Sequence, residues 1–161
     1  NQDPLIIGLM ISLHIVGMYA FSPLIGRIAD RISKELLIGI GAIIAAIGSE
    51  IASHTEAPDA AGHMIGLFLI GIGWCSSLVA GSALMTEAFP PEVRVATQST
   101  SDVLMTATGA VAGISSGLAV EQRSYHDLAH WAALVAVFLA VIASIAVVQQ
   151  SRIRESEVDP Q

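Results

Sequence analysis

Apolar residues fall in five long runs, separated by short turns that hold most of the charge. The runs are Leu5 to Ile25, Leu36 to Ser53, Gly62 to Thr86, Val95 to Val120, and Leu128 to Val148. A bilayer core of roughly 30 Å needs about 20 mainly apolar residues per helix at roughly 1.5 Å rise each. Each run is near that length, so the pattern predicts an all-α, polytopic transmembrane helical bundle. The runs fill most of the chain, and no soluble domain fits beside them.

Helical phase then says how the spans associate. The third run carries Gly62, Gly66, Gly73, Ser77 and Gly81 at intervals that bring them to one face. The fourth repeats the pattern with Thr106, Gly109, Gly113 and Gly117, and the second has Gly39, Ala46 and Ser53 on one side. Small residues let two backbones approach, a main route to helix association where lipid is as apolar as leucine. Gly73, Ser77, Gly81, Gly109, Gly113 and Gly117 are therefore the expected packing positions. Trp131 to Val148 has no ionisable residue and no Gly, which suggests a peripheral helix facing lipid.

Composition sharpens this picture. The chain is 161 residues long, 53% hydrophobic and only 13% charged, against roughly a quarter charged for soluble domains. Formal charge is −7, without a basic patch interleaved with aromatics, so nucleic acid is excluded as a partner. Cys75 falls mid-span and reads as an apolar filler; one cysteine makes neither a disulfide nor a metal site. No metal-ligand cluster, Ser-His-Asp order or hydrolase-type carboxylate pair is apparent, so neither an enzyme nor a cofactor is expected. The flank Asn1-Gln2-Asp3-Pro4 lacks the basic start of a signal peptide, and the chain reads as beginning inside a larger protein.

The basic residues orient the spans. Arg27, Arg31 and Lys34 follow the first run, Arg94 follows the third, and Arg152 and Arg154 lie in the tail. The alternate segments hold Arg123 alone. By the positive-inside rule the N-terminus lies outside, with the C-terminus and the tail 149–161 in the cytoplasm.

Three ionisable residues sit within the spans, where charge is expensive and usually faces protein or a water cavity. Asp102 lies about 12 Å along the fourth helix from Arg94, on the Gly109 face. It reads equally as a proton-coupling or gating carboxylate, or as a structural Asp bonded to a neighbouring helix. Glu50, about one turn from the outer end of the second helix, reads as a snorkelling side chain or a second coupling group. His14 reads either as a titrating group on a proton path or as a satisfied packing histidine.

Two turns carry a resemblance. Gly26-Arg27-Ile28-Ala29-Asp30-Arg31-Ile32-Ser33-Lys34 resembles the G-x-L-A-D-R-x-G-R-K loop of the major facilitator superfamily of secondary transporters. Ser33 stands for the second glycine, and Glu35 stands where a cation or neutral residue is usual. Thr86-Glu87-Ala88-Phe89-Pro90-Pro91-Glu92-Val93-Arg94 resembles the E-x-F-P-x-x-x-R turn of the same superfamily. It lies one helix pair downstream on the same membrane side.

The resemblance covers nearly the whole chain and implies residues 1–161 as part of a twelve-helix transporter. It is similar to the C-terminal half of bacterial, especially actinobacterial, members, which implies helices eight to twelve; helices two to six are the alternative. It further implies alternating access in the plasma (inner) membrane and a missing N-terminal half as partner. The cargo would be a small solute moved with protons. Gly26, Arg27, Asp30, Arg31, Lys34, Glu87 and Arg94 would form a cytoplasmic gating network, with Glu87 and Arg94 exchanging salt bridges with Arg27, Asp30 and Arg31. A five-helix scaffold without transport is the competing reading.

Overall fold

The computed structural model describes residues 4–55 and 59–122, together with 131, 132, 134, 135, 137, 138, 141, 142 and 145. The helices are α1 (Pro4–Tyr19), α2 (Ser22–Ala29), α3 (Lys34–His54), α4 (Ala60–Ala88) and α5 (Pro91–Gln122). Among the described residues there is no strand, and the fold is an all-α helical bundle. Three described stretches are long and apolar enough to cross a membrane: Pro4–Ala29, Lys34–His54 and Ala60–Ala88. α5 runs through the expected fourth span. The described positions between 131 and 145 are helical and exposed. The rest of that fifth run, the 149–161 tail and Arg123, Arg152 and Arg154 lie outside the described residues.

The first run differs from the single helix its apolarity predicts: it breaks between Tyr19 and Ser22. Pro23 has no N–H and cannot bond the carbonyl of Tyr19 four residues back. The chain re-forms one turn later, where the Phe21 carbonyl accepts from both Leu24 (3.0 Å) and Ile25 (2.9 Å). Proline near the start of α2 is then at its tolerated position.

The turn between α2 and α3 is stopped by a cap. Ser33 is extended (φ −64°, ψ 140°), and its hydroxyl accepts from the Leu36 N–H at 3.3 Å. Glu35 stands in the first turn of α3, where the helix dipole favours an anion. Both departures from the family's loop therefore act as helix-start chemistry. Asp59 starts α4 in the same way, accepting from Ala61 (3.0 Å) and Gly62 (3.4 Å). Phe89 ends α4 with its N–H on the Met85 carbonyl, and Pro91 opens α5.

α4 is the hub of the described fold. A Cβ on Gly48 would stand 2.6 Å from the Gly66 carbonyl oxygen, and one on Gly66 would stand 2.7 Å from that of Gly48. The same reciprocal approach joins Gly41 and Gly73, so α3 and α4 touch backbone to backbone at two levels about two turns apart. α1 meets α4 at a third point: Gly17 lies against the Phe68 carbonyl, and Gly71 against that of His14. Ser77 adds its hydroxyl, which a Cβ on Gly41 would meet at 2.8 Å. Gly73 and Ser77 thus both lie in the α3–α4 contact.

Gly81, Gly109, Gly113 and Gly117 do not pack within the described chain: no described atom lies within 4 Å of a Cβ built on any of them. The reason is that α5 diverges from α4 beyond the Phe89–Pro91 turn and is exposed at most of its described positions. A small apolar core closes the motif-bearing end, with Ile25, Ala29, Leu37, Cys75 and Ala80 buried together. Elsewhere large apolar side chains face outward, among them Leu5 and Val95, as suits a chain bathed in lipid or further helices.

Candidate functional site

The two motifs meet at one end of the bundle. Lys34 Nζ donates to Glu87 Oε1 at 2.9 Å, tying the start of α3 to the last turn of α4. Lys34 is mostly covered whereas Glu87 is largely exposed. Asp30 and Glu35 add negative charge around the same ammonium. The buried Ile25, Ala29 and Leu37 lie beneath this corner, so its backbone is held by apolar packing rather than by charge.

The pairing differs from the one expected. Glu87 meets Lys34 and not Arg27 or Arg31, and no described residue makes an ion pair with Arg27, Asp30, Arg31 or Arg94. The helix phase accounts for this. Arg27 stays within α2, its Nη1 donating to the Pro23 carbonyl at 3.4 Å. Arg94 Nε donates to the Phe89 carbonyl at 2.8 Å, bracing the turn between α4 and α5. Asp30 ends α2, with its backbone N–H on the Gly26 carbonyl at 3.1 Å. Gly26 itself lies inside α2, where no described atom crowds a Cβ position, so the tight turn falls at Asp30 to Ser33 instead.

The three in-span groups separate into different settings. His14 Nδ1 bonds the Leu67 carbonyl at 2.7 Å, joining α1 to α4. A carbonyl only accepts, so the proton sits on Nδ1, and the ring spends that nitrogen on packing. Glu50 Oε2 lies 3.5 Å from His54 Nδ1 near the far end of α3, with both side chains partly solvated.

Asp102 lies on a different surface. Gln98 Nε2 stands 3.4 Å from both Asp102 Oδ1 and Ser82 Oγ, bridging α5 to α4. These groups line an open cleft of about 460 Å³ between the two helices, together with Trp74, Ser77, Gly81 and Met105. Asp102 is the one charged side chain lining it among the described residues.

Some contributors were not singled out from the sequence. Gly17, Gly41, Gly48 and Gly71 carry close helix contacts, and the capping role of Ser33 is a second such feature. An interval of seven between Gly41 and Gly48, matching that of Gly66 and Gly73, was the available signal. Among the described residues no group of three His, Cys, Asp or Glu side chains could hold a metal ion.

A family model described as the Major Facilitator Superfamily matches residues 1–160. The chain is 36% identical over 134 residues to the uncharacterized MFS-type transporter YddS of Bacillus subtilis, covering 83% of this chain and 30% of that protein. It is 32% identical over 119 residues to a second such transporter of that organism, YdeG, covering 74% and 28%. The riboflavin transporter RfnT of Brucella anthropi is 27% identical over 136 residues, covering 84% and 33%. The chain thus spans about a third of the length of these relatives. No solved structure matches it.

Proposed function

The chain belongs to the Major Facilitator Superfamily, and from that premise we propose that it forms helices eight to twelve of a secondary transporter for a small solute. It is a multi-pass membrane segment. In this reading its N-terminus faces outside, the motif-bearing turns face the cytoplasm, and the missing N-terminal half completes the cavity in the plasma membrane. Two halves related as parallel repeats would rock about a site near mid-membrane. No enzyme chemistry is part of it.

The observation that carries the reading is the Lys34–Glu87 bond at 2.9 Å. It joins the two family motifs across the ends of α3 and α4, so it can act as a latch that persists in one conformation and parts in the other. In this reading Gly26, Arg27, Asp30, Arg31 and Arg94, on the same two turns, belong to the gating network, and the charged ones would take up new partners as the latch opens. Glu87 is largely exposed, so solvent screens the bond and its thermodynamic weight is small. That suits a contact that must break in every cycle.

Asp102 is the group we assign to proton coupling. It lies in the α4–α5 cleft within reach of Gln98, and no cation lines that cleft among the described residues. His14 is assigned to packing because of its Leu67 bond, and Glu50 to the outer interface.

The test uses the full-length transporter in proteoliposomes. Asp30→Asn and Glu87→Gln should slow turnover several-fold at unchanged protein level. Wild-type turnover in both removes the latch. Unchanged pH-gradient-driven transport in Asp102→Asn removes the coupling role.

A further inference from the structure

Among the described residues, the α1–α2 break leaves two backbone acceptors without a backbone donor. Pro23 deprives the Tyr19 carbonyl of its helical donor, and the Leu24 N–H, which would serve Ala20, bonds Phe21 instead. Both carbonyls sit at the C-terminal end of α1, the negative end of its dipole. Tyr19 and Ala20 are exposed in the described fold. Open backbone groups are not tolerated against lipid; at membrane depth they are found where they line a water-filled cavity or are covered by protein.

The break is level with the middle of α4. The Tyr19 ring packs edge-to-face on Trp74 at 5.8 Å, and Trp74 stands midway along α4. Trp74 also heads the α4–α5 cleft whose one described charge is Asp102. Trp74 thus borders both the break, which offers carbonyl oxygens and the Tyr19 ring, and the cleft that holds Asp102, and no cation lines that cleft among the described residues. A bare sodium ion would need a fuller cage of oxygens. A substituted ammonium needs fewer acceptors and gains from an indole face.

We propose that the break is a subsite for the ammonium group of an aryl- or alkyl-substituted amine carried through the transporter. The Tyr19 and Ala20 carbonyls accept its N–H groups, and Tyr19 and Trp74 cover its apolar substituent. This rests on the transport reading for its context, but it is read by equilibrium binding.

Phenethylammonium is titrated calorimetrically at neutral pH into the detergent-solubilised full-length transporter. Neutral 2-phenylethanol and phenethyltrimethylammonium, which has no N–H, are run beside it. Phenethylammonium should bind at least about tenfold more tightly than either. Pro23→Ala restores a donor for the Tyr19 carbonyl and should weaken phenethylammonium about tenfold while leaving the two controls unchanged. Trp74→Leu should weaken the two cations together.

Equal binding of the neutral alcohol, wild-type affinity in Pro23→Ala, or no binding of phenethylammonium each overturns the subsite. Failure here leaves the latch result standing, because that experiment reads turnover; failure of the latch likewise leaves this binding result standing.

Discussion

Gly73→Ala puts a methyl group where α3 and α4 touch. The new Cβ would stand 2.8 Å from both the Cβ and the backbone nitrogen of Ala45, and closer still to the Gly41 carbonyl oxygen. Two of these three neighbours are backbone, so neither can rotate away. The helices must part by several tenths of an ångström at this level, loosening the Gly48–Gly66 contact about two turns along. Overpacking of this kind costs about 1–3 kcal/mol, and replacing a mid-helix glycine with alanine returns about 0.5–1 kcal/mol. The net loss should be about 1 kcal/mol, the centre of a range of roughly 0–2.5 kcal/mol.

Gly81→Ala, two turns further along the same helix, meets no described atom within 4 Å and should keep the alanine benefit. Cys75 is 1% exposed, so a thiol-reactive fluorophore reports its release as the full-length transporter melts in detergent. Gly73→Ala should lower the melting midpoint by a few degrees, and Gly81→Ala should leave it unchanged or raised. Equal losses in both, or no loss in Gly73→Ala, would refute the backbone-contact account.

Ser33→Ala should cost about 1 kcal/mol by removing the cap on α3, whereas Ser33→Gly should cost only a few tenths; the same melting assay separates them. Exchanging the latch charges, Lys34→Glu with Glu87→Lys, should recover much of the turnover that either single change loses in proteoliposome counterflow. His14→Phe should lower the melting midpoint by the equivalent of about 1 kcal/mol for the lost Leu67 bond. It should leave the pH dependence of transport in place.

Most of the helix map was legible because spans announce themselves by length and apolarity, and because the two motifs flank them in register. The break at Tyr19–Ser22 was written in Pro23 but hidden by the unbroken apolarity around it. The glycine faces were half legible. Spacing finds which residues share a face, yet it cannot say which faces meet, so Gly73 and Gly81 look alike in sequence and differ in the fold. The latch partner was lost for a related reason. Arg27, Arg31 and Lys34 are all cations near Glu87 in the motif, and only the phase of α3 selects Lys34. The roles of Ser33 and Glu35 became visible once the start of α3 was fixed.

The most direct test of the latch is to make it permanent. Lys34→Cys and Glu87→Cys are combined in the full-length transporter with its other cysteines replaced, and bridged with a short thiol-specific crosslinker in proteoliposomes. The bridge should stop solute counterflow, and reductant should restore it, while each single-cysteine protein treated alike keeps transporting. Full counterflow through the bridged protein would contradict the account.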